Sequence, residues 1–156
     1  MPQFPIHNSP YFDVREFVDP RTWSILGVRA AWQVDVRTVR CSDLLRLKTN
    51  LPNIVNNWHF AVPGEPVFDA SGFRPIWEKV GGILSQHRGG RASDNKSKGL
   101  SARQMFECVM DNAPEFEEAG LTTIEDPAVT ITWLHLDCRA KIKGVHPDKG
   151  FLIVKP

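Results

Sequence analysis

The sequence predicts an α+β domain in which a small antiparallel sheet is flanked by helices. Three observations carry this. Two stretches, residues 35–49 and 100–114, bear helical spacing and helix-end signals. One stretch, "VTITWLHLDCR" at residues 129–139, alternates like a strand. The segments run helix, strand, loop, helix, strand, strand, and a regular strand–helix alternation, the mark of a parallel sheet, is missing. The chain has 156 residues, the length of one domain with one sizeable core. With 42% hydrophobic and 24% charged residues it has the composition of a folded protein. It shows no internal repeat, low-complexity tract or second domain, so residues 1–156 are read as a single domain and 1–30 as an N-terminal arm packing on it.

Residues 1–12 are rich in Pro and Asn and read as extended. "YFDVREFVDPRTW" reads as a short helix or turn that lays Phe12, Phe17 and Trp23 on the body, in keeping with five Trp and nine Phe as core anchors. Val36, Val39, Leu44, Leu47 and Leu51 recur at helical spacing before Pro52, which gives a helix over 35–49. "NIVNNW" reads as a short strand between turn formers. "AVPGEPVFDASG" reads as a loop. Residues 75–84 read as a short helix closed by Gly81 and Gly82, and residues 88–100 as a Gly-, Ser- and Lys-rich connection. "LSARQMFECVMDNAP" has Ser101 as N-cap, Gln104 to complete a capping box, Pro114 at its end, and Met105, Phe106, Val109 and Met110 as its buried stripe. In "VTITWLHLDCR", alternation puts Val129, Ile131, Trp133, His135 and Asp137 on one face, with Thr130, Thr132, Leu134, Leu136 and Cys138 on the other. "FLIVKP" reads as a last strand.

Charge and composition narrow the partners. The net charge is +1, which gives no bulk-charge reason to expect nucleic-acid binding. Arg88, Arg91, Lys96 and Lys98 are a local cluster, read as a solvated loop. Cys41, Cys108 and Cys138 lack any CxxC spacing and read as reduced, packed thiols of a protein made in a cytoplasm. The N-terminus carries no signal-peptide pattern, and no apolar run approaches the roughly 20 residues that span a bilayer, so no membrane insertion is expected.

The chemistry centres on "SQHRGGRASD", residues 85–94. Gly89, Gly90 and Ala92 leave little bulk between His87 and Asp94, so the backbone there can wrap closely around a ligand. His135 sits mid-strand among apolar neighbours, where an uncompensated imidazole is costly. Two His and one carboxylate are a common zinc set that leaves a fourth position open. The competing reading is a pair of hydrogen-bonded core histidines.

Together "SGFR" (residues 71–74), Gly81-Gly82, "SQHRGGRASD" and "TWLHLDCR" resemble the D-alanyl-D-alanine carboxypeptidase-like zinc metallopeptidases. This family includes phage peptidoglycan peptidases and shares the hedgehog/DD-peptidase fold. Ser85, His87, Gly90, Ala92 and Asp94 match its Ser-x-His-x-x-Gly-x-Ala-x-Asp pattern, and Trp133 and His135 its Trp-x-His strand; the resemblance covers residues 50–140. It implies one zinc ion on His87, Asp94 and His135, with Arg74 holding a carboxylate or carbonyl of a peptidoglycan peptide, a task suited to the bidentate guanidinium. It gives Ser85 a place near metal or substrate. It further implies an endolysin or carboxypeptidase, made without a signal peptide and acting on the cell wall after release, or associated with a virion. One position departs from the pattern: Thr132 stands where many relatives carry an acidic base or a histidine, and neither it nor Thr130 is a base at neutral pH. The substitutes are Asp137, on the His135 face, then Glu125 with Asp126, then His146; Asp137 has an alternative role in orienting the metal histidine or Arg139. The missing base also supports a rival reading, a catalytically inactive phage structural or binding protein that keeps the fold and the metal. His59 and His7 are read as packing or surface residues.

Overall fold

The computed structural model describes residues 2–155; Met1 and Pro156, the ends of the predicted arm and tail, lie outside the described residues. Among those residues there are four α-helices and a five-stranded mixed sheet, an α+β architecture. The helices are α1 (Pro20–Leu26), α2 (Val36–Thr49), α3 (Ala102–Asp111) and α4 (Ala113–Ala119). The strands are β1 (Asn53–Ile54), β2 (Ala92–Ser97), β3 (Thr123–Glu125), β4 (Leu134–Asp137) and β5 (Leu152–Val154), in spatial order β1-β2-β4-β3-β5.

The helix ends follow their side chains. Asp19 accepts from the amides of Arg21 and Thr22 at the start of α1, and Asp35 from Arg37 at the start of α2. Ser101 and Gln104 form the reciprocal capping box of α3. Met105 and Val109 are buried beneath α3 as expected, whereas Met110 is 40% exposed. Pro114 does more than end α3: it occupies the first turn of α4, where its missing N–H removes no hydrogen bond.

Four expectations are corrected. The sheet is mixed, because the connection over residues 138–151 carries the chain past β3 and sets β5 parallel to it. Residues 75–84 form turns in place of the short helix. The Arg88 guanidinium bonds the carbonyls of Pro75, Glu78 and Gly82, supplying partners that a helix would find in its own backbone. The strand over 129–139 shrinks to β4, because Asp126 caps a turn through the amides of Ala128, Val129 and Thr130. "NIVNNW" shrinks to β1 because Asn56 and Asn57 spend their amides on the backbone of Val18, Ser71, Pro66 and Phe68. Three elements have no counterpart in the sequence reading: β2, β3 and α4.

Two apolar clusters hold the elements together. One packs Cys41 and Leu45 of α2, Met105 and Val109 of α3 and Phe116 of α4 on Ile124, Leu134 and Leu136 of the sheet. The buried thiols of Cys41 and Cys138 lie 3.7 Å apart in it, both free. The other gathers Ile6, Phe12, Phe17 and Val18 of the N-terminal segment around Val39 and Val55. Residues 4–30 thus form one wall of the core.

That wall sets the loop carrying His87. Gly90 has φ 65°, and a Cβ built there would stand 1.9 Å from the Gln33 carbonyl oxygen. Its own carbonyl accepts from Asp35 N at 2.9 Å and Thr38 Oγ1 at 3.1 Å, docking the loop on the start of α2. Gly90→Ala is expected to cost on the order of 3 kcal/mol, combining left-handed strain with a backbone clash. Gly82→Ala, with nothing within 4 Å and an ordinary φ, is the control and is expected to leave the melting temperature within a degree or two. Thermal unfolding of both variants checks this.

Candidate metal centre

Strand register assembles the site. Asp94 of β2 pairs with His135 of β4, and Ser93 with Leu136, so alternate residues turn to opposite faces of the sheet. Leu134 and Leu136 go to the core. Asp94 and His135 go to the other face, as cross-strand neighbours. β3 pairs with β4 as Thr123↔Asp137 and Ile124↔Leu136, and one further step in that register sets Glu125 opposite His135. Three strands therefore present Asp94, His135 and Glu125 in one row.

His87 comes from outside the sheet, on the 3-10 turn Gln86–Gly89. Segment 71–74 threads between this turn and the N-terminal wall. The Ser71 carbonyl accepts from Asp94 N at 2.8 Å, Arg74 N donates to the His87 carbonyl at 3.0 Å, and Phe73 N donates to the Phe17 carbonyl at 2.7 Å. A Cβ on Gly72 would stand 2.4 Å from the Phe17 carbonyl oxygen, so only glycine permits this approach.

His87, Asp94 and His135, all buried, bring one donor atom each within 4.8 Å of the others. His87 Nε2 lies 3.3 Å from His135 Nδ1 and 3.3 Å from Asp94 Oδ1. Ligand bonds of about 2.1 Å at tetrahedral angles put donor atoms about 3.4 Å apart, so two edges of this triangle already have a metal-site length. The third, His135 Nδ1 to Asp94 Oδ1, is a 2.7 Å hydrogen bond with a proton where a cation would sit. The nitrogens facing away are also engaged: His87 Nδ1 donates to the Gly72 carbonyl at 2.8 Å, and His135 Nε2 faces Asp137 Oδ2 at 3.7 Å. Such outer partners orient metal histidines and raise their basicity. The cluster can bind a metal ion, and its all-nitrogen-and-oxygen donor set suits a borderline divalent cation.

The charges are tightly coupled. Burial opposes ionisation of Asp94, but His87 and His135 outweigh it and hold its carboxyl far below the usual range. Burial lowers His87. Burial would lower His135 too, but the Asp137 and Asp94 carboxylates beside it push it up to about 9. Burial raises Glu125. Asp137 is disfavoured by burial yet held low by His135 and Arg139.

A cleft of about 360 Å³ opens over these groups, lined among others by Arg74, Ser85, His87, Glu125, Trp133 and His135. Glu125 lines this cleft, with its Oε1 3.8 Å from His135 Nδ1. Arg74 is mostly buried, its pair with Asp94 lying inside the fold. Its Nη2 bonds Asp94 Oδ2 at 2.9 Å and its Nε the Ala70 carbonyl at 2.5 Å, and its Nη1 lies beside Gly81, which with Arg74 lines the cleft. Ser85 lines the cleft beside Gly82. Asp137 is fully buried behind His135, held by Arg139. The other candidates lie elsewhere. Asp126 caps its turn and pairs with Lys155, and His146 bonds Thr123 Oγ1. His59 meets Trp58 and Phe60 edge to face, and His7 bonds the Val34 carbonyl. The sequence reading missed Lys96, taken as part of a solvated loop. Its ammonium is largely buried and bonds Ser71 Oγ at 2.7 Å and the Asp94 carbonyl at 3.1 Å. Burial lowers it to about 8. The available signal was its two-residue spacing from Asp94, but the polar string "ASDNKS" concealed the strand.

No protein-family model, curated protein or solved structure matches the chain.

Metal binding here must displace a proton. His135 is raised to about 9 in the metal-free fold, so stability from its imidazolium is full below about 6.5 and is lost as pH rises through 9. Metal affinity runs the opposite way and is expected to rise close to tenfold per pH unit from about 6.5 to 9, with one proton released per ion bound. Calorimetric zinc titrations in buffers of different ionisation enthalpy measure both. His87→Ala and His135→Ala are expected to abolish stoichiometric binding.

Proposed function

We propose that the chain is a zinc-dependent peptidase of the hedgehog/DD-peptidase type that hydrolyses stem or cross-link peptides of peptidoglycan. One observation carries the peptidase reading: the buried donors of His87, Asp94 and His135 share a cleft with a carboxylate, Glu125, and a guanidinium, Arg74. The peptidoglycan substrate, with action on the wall after release or from a virion, rests on the motif resemblance of residues 71–94 and 132–139.

The residues divide the work. His87 through Nε2, Asp94 through Oδ1 and His135 through Nδ1 would hold the ion. Zinc bound there supplies Lewis acidity toward a scissile carbonyl and acidifies water to near neutral pH. Glu125 is the general base. It shares the cleft with the donors at 3.8 Å from His135 Nδ1, and burial raises its carboxyl above the usual range. It takes the proton of the attacking water and returns it to the leaving amine. Arg74 fixes Asp94 with one arm and offers Nη1 to a substrate carboxylate or carbonyl. Asp137, shut away behind His135, orients that imidazole and does not meet substrate. Ser85 stands by the cleft to bind substrate. Thr132 needs no catalytic role, because the base arrives from β3.

The inactive-binder reading differs in one result. On purified cell walls, wild-type protein is expected to release peptide termini, and a chelator is expected to stop this until zinc is restored. Glu125→Gln is expected to lower kcat by about 10²–10⁴-fold while retaining stoichiometric zinc. Asp137→Asn is expected to weaken zinc binding by about 10–100-fold. Full zinc occupancy with no cleavage of any wall preparation would favour the binder.

A further inference from the structure

The cleft continues beyond the metal donors. Past Arg74, Val80 and Trp133 it opens into a second hollow of about 340 Å³, walled by Phe68, Ala70, Ser71, Lys96 and Thr132. Phe68, Lys96 and Thr132 in turn border a third, of about 540 Å³, that reaches Ile54 and Lys98. Lys96 stands where the two meet.

Two residues after Asp94 on β2, Lys96 shares its face of the sheet, about 7 Å along. Its immediate partners are all neutral: Ser71 Oγ at 2.7 Å, the Asp94 carbonyl at 3.1 Å, and the Phe68 ring with its centre 4.6 Å from Nζ. The Asp94 carboxylate is spent on Arg74, His87 and His135. Among the described residues no carboxylate forms an ion pair with Lys96, whereas the exposed Lys98 has Glu65 at 2.7 Å. A cation drawn from water without an anion is costly, and an uncharged chain would fill the same space without that cost. The hollow offers one ammonium beside hydroxyls and an apolar wall. That matches a single carboxylate on a short carbon stem, and it offers too few donors for a phosphate.

We propose that Lys96 binds a carboxylate of the peptide substrate, so that this groove selects peptides with an acidic residue within about two residues of the scissile bond. The proposal takes its ligand from the peptidase reading above. The test uses two synthetic stem-type peptides that differ only in one carboxylate, free in the first and amidated in the second. Binding is measured by calorimetry on zinc-loaded protein in a Glu125→Gln background, and cleavage by the wild-type enzyme is followed in parallel. The free acid is expected to bind at least ten times more tightly than the amide and to show a matching ratio in kcat/KM. Lys96→Met and Lys96→Gln are each expected to bring the ratio to about one, and Lys96→Arg to keep most of it. A ratio near one with Lys96 present, a ratio that survives in both neutral variants, or failure of both peptides to bind would overturn the proposal. Preferential binding of the acid with cleavage of neither peptide would sink the peptidase reading and leave the carboxylate site standing.

Discussion

The Asp94 carboxylate is the point on which the rest of the structure turns. It is buried, and it is ionised only because Arg74 takes one oxygen while His87 and His135 converge on the other. An unpaired carboxylate at that depth would cost several kcal/mol. The three partners come from a loop, a turn and a neighbouring strand, so the charge adds to the strand pairing and backbone hydrogen bonds that bring these segments together. A cation at the centre of the donor triangle would meet the same electrostatic demand more completely than the proton now shared by His135 and Asp94.

Everything around that carboxylate supports its placement. Strand register sets His135 and Glu125 beside it, and the opposite face of the same strands packs on α2, α3 and α4. The N-terminal wall holds the turn of His87 through the close approach at Gly90 and the carbonyl of Gly72. The two faces of one sheet thus divide the labour: hydrophobic burial fixes the backbone on one, and the buried charge fixes side chains on the other.

The sequence revealed those parts in which one residue announces its own role. The helix over 35–49 and the Ser101–Gln104 box kept their predicted places, and His87, Asp94 and His135 meet in a cluster that could hold a metal ion. It concealed parts that depend on long-range pairing. β2 is polar along its length because Asp94 and Lys96 face the cleft while Ser93 and Asn95 are buried in hydrogen bonds to Ser42 and Asn53, so no hydrophobic alternation marks it. β3 is three residues long and draws its order from β4 and β5. For this reason Glu125, one of three carboxylates named as a substitute base, carried no strand signal of its own. Only the register of β3 against β4 takes it to the cleft and puts Asp137 behind His135. On the proposed reading, Glu125 of β3 would take the place of the acid that the motif lacks at Thr132.

The central claim is that His87, Asp94 and His135 together hold one zinc ion. X-ray absorption at the zinc edge of the purified, zinc-loaded protein tests it most directly. The account predicts one ion per chain with nitrogen and oxygen neighbours at about 2.0–2.1 Å and scattering from two imidazoles. Sulfur in the coordination sphere, a single imidazole, or failure to retain zinc at stoichiometric level would contradict it.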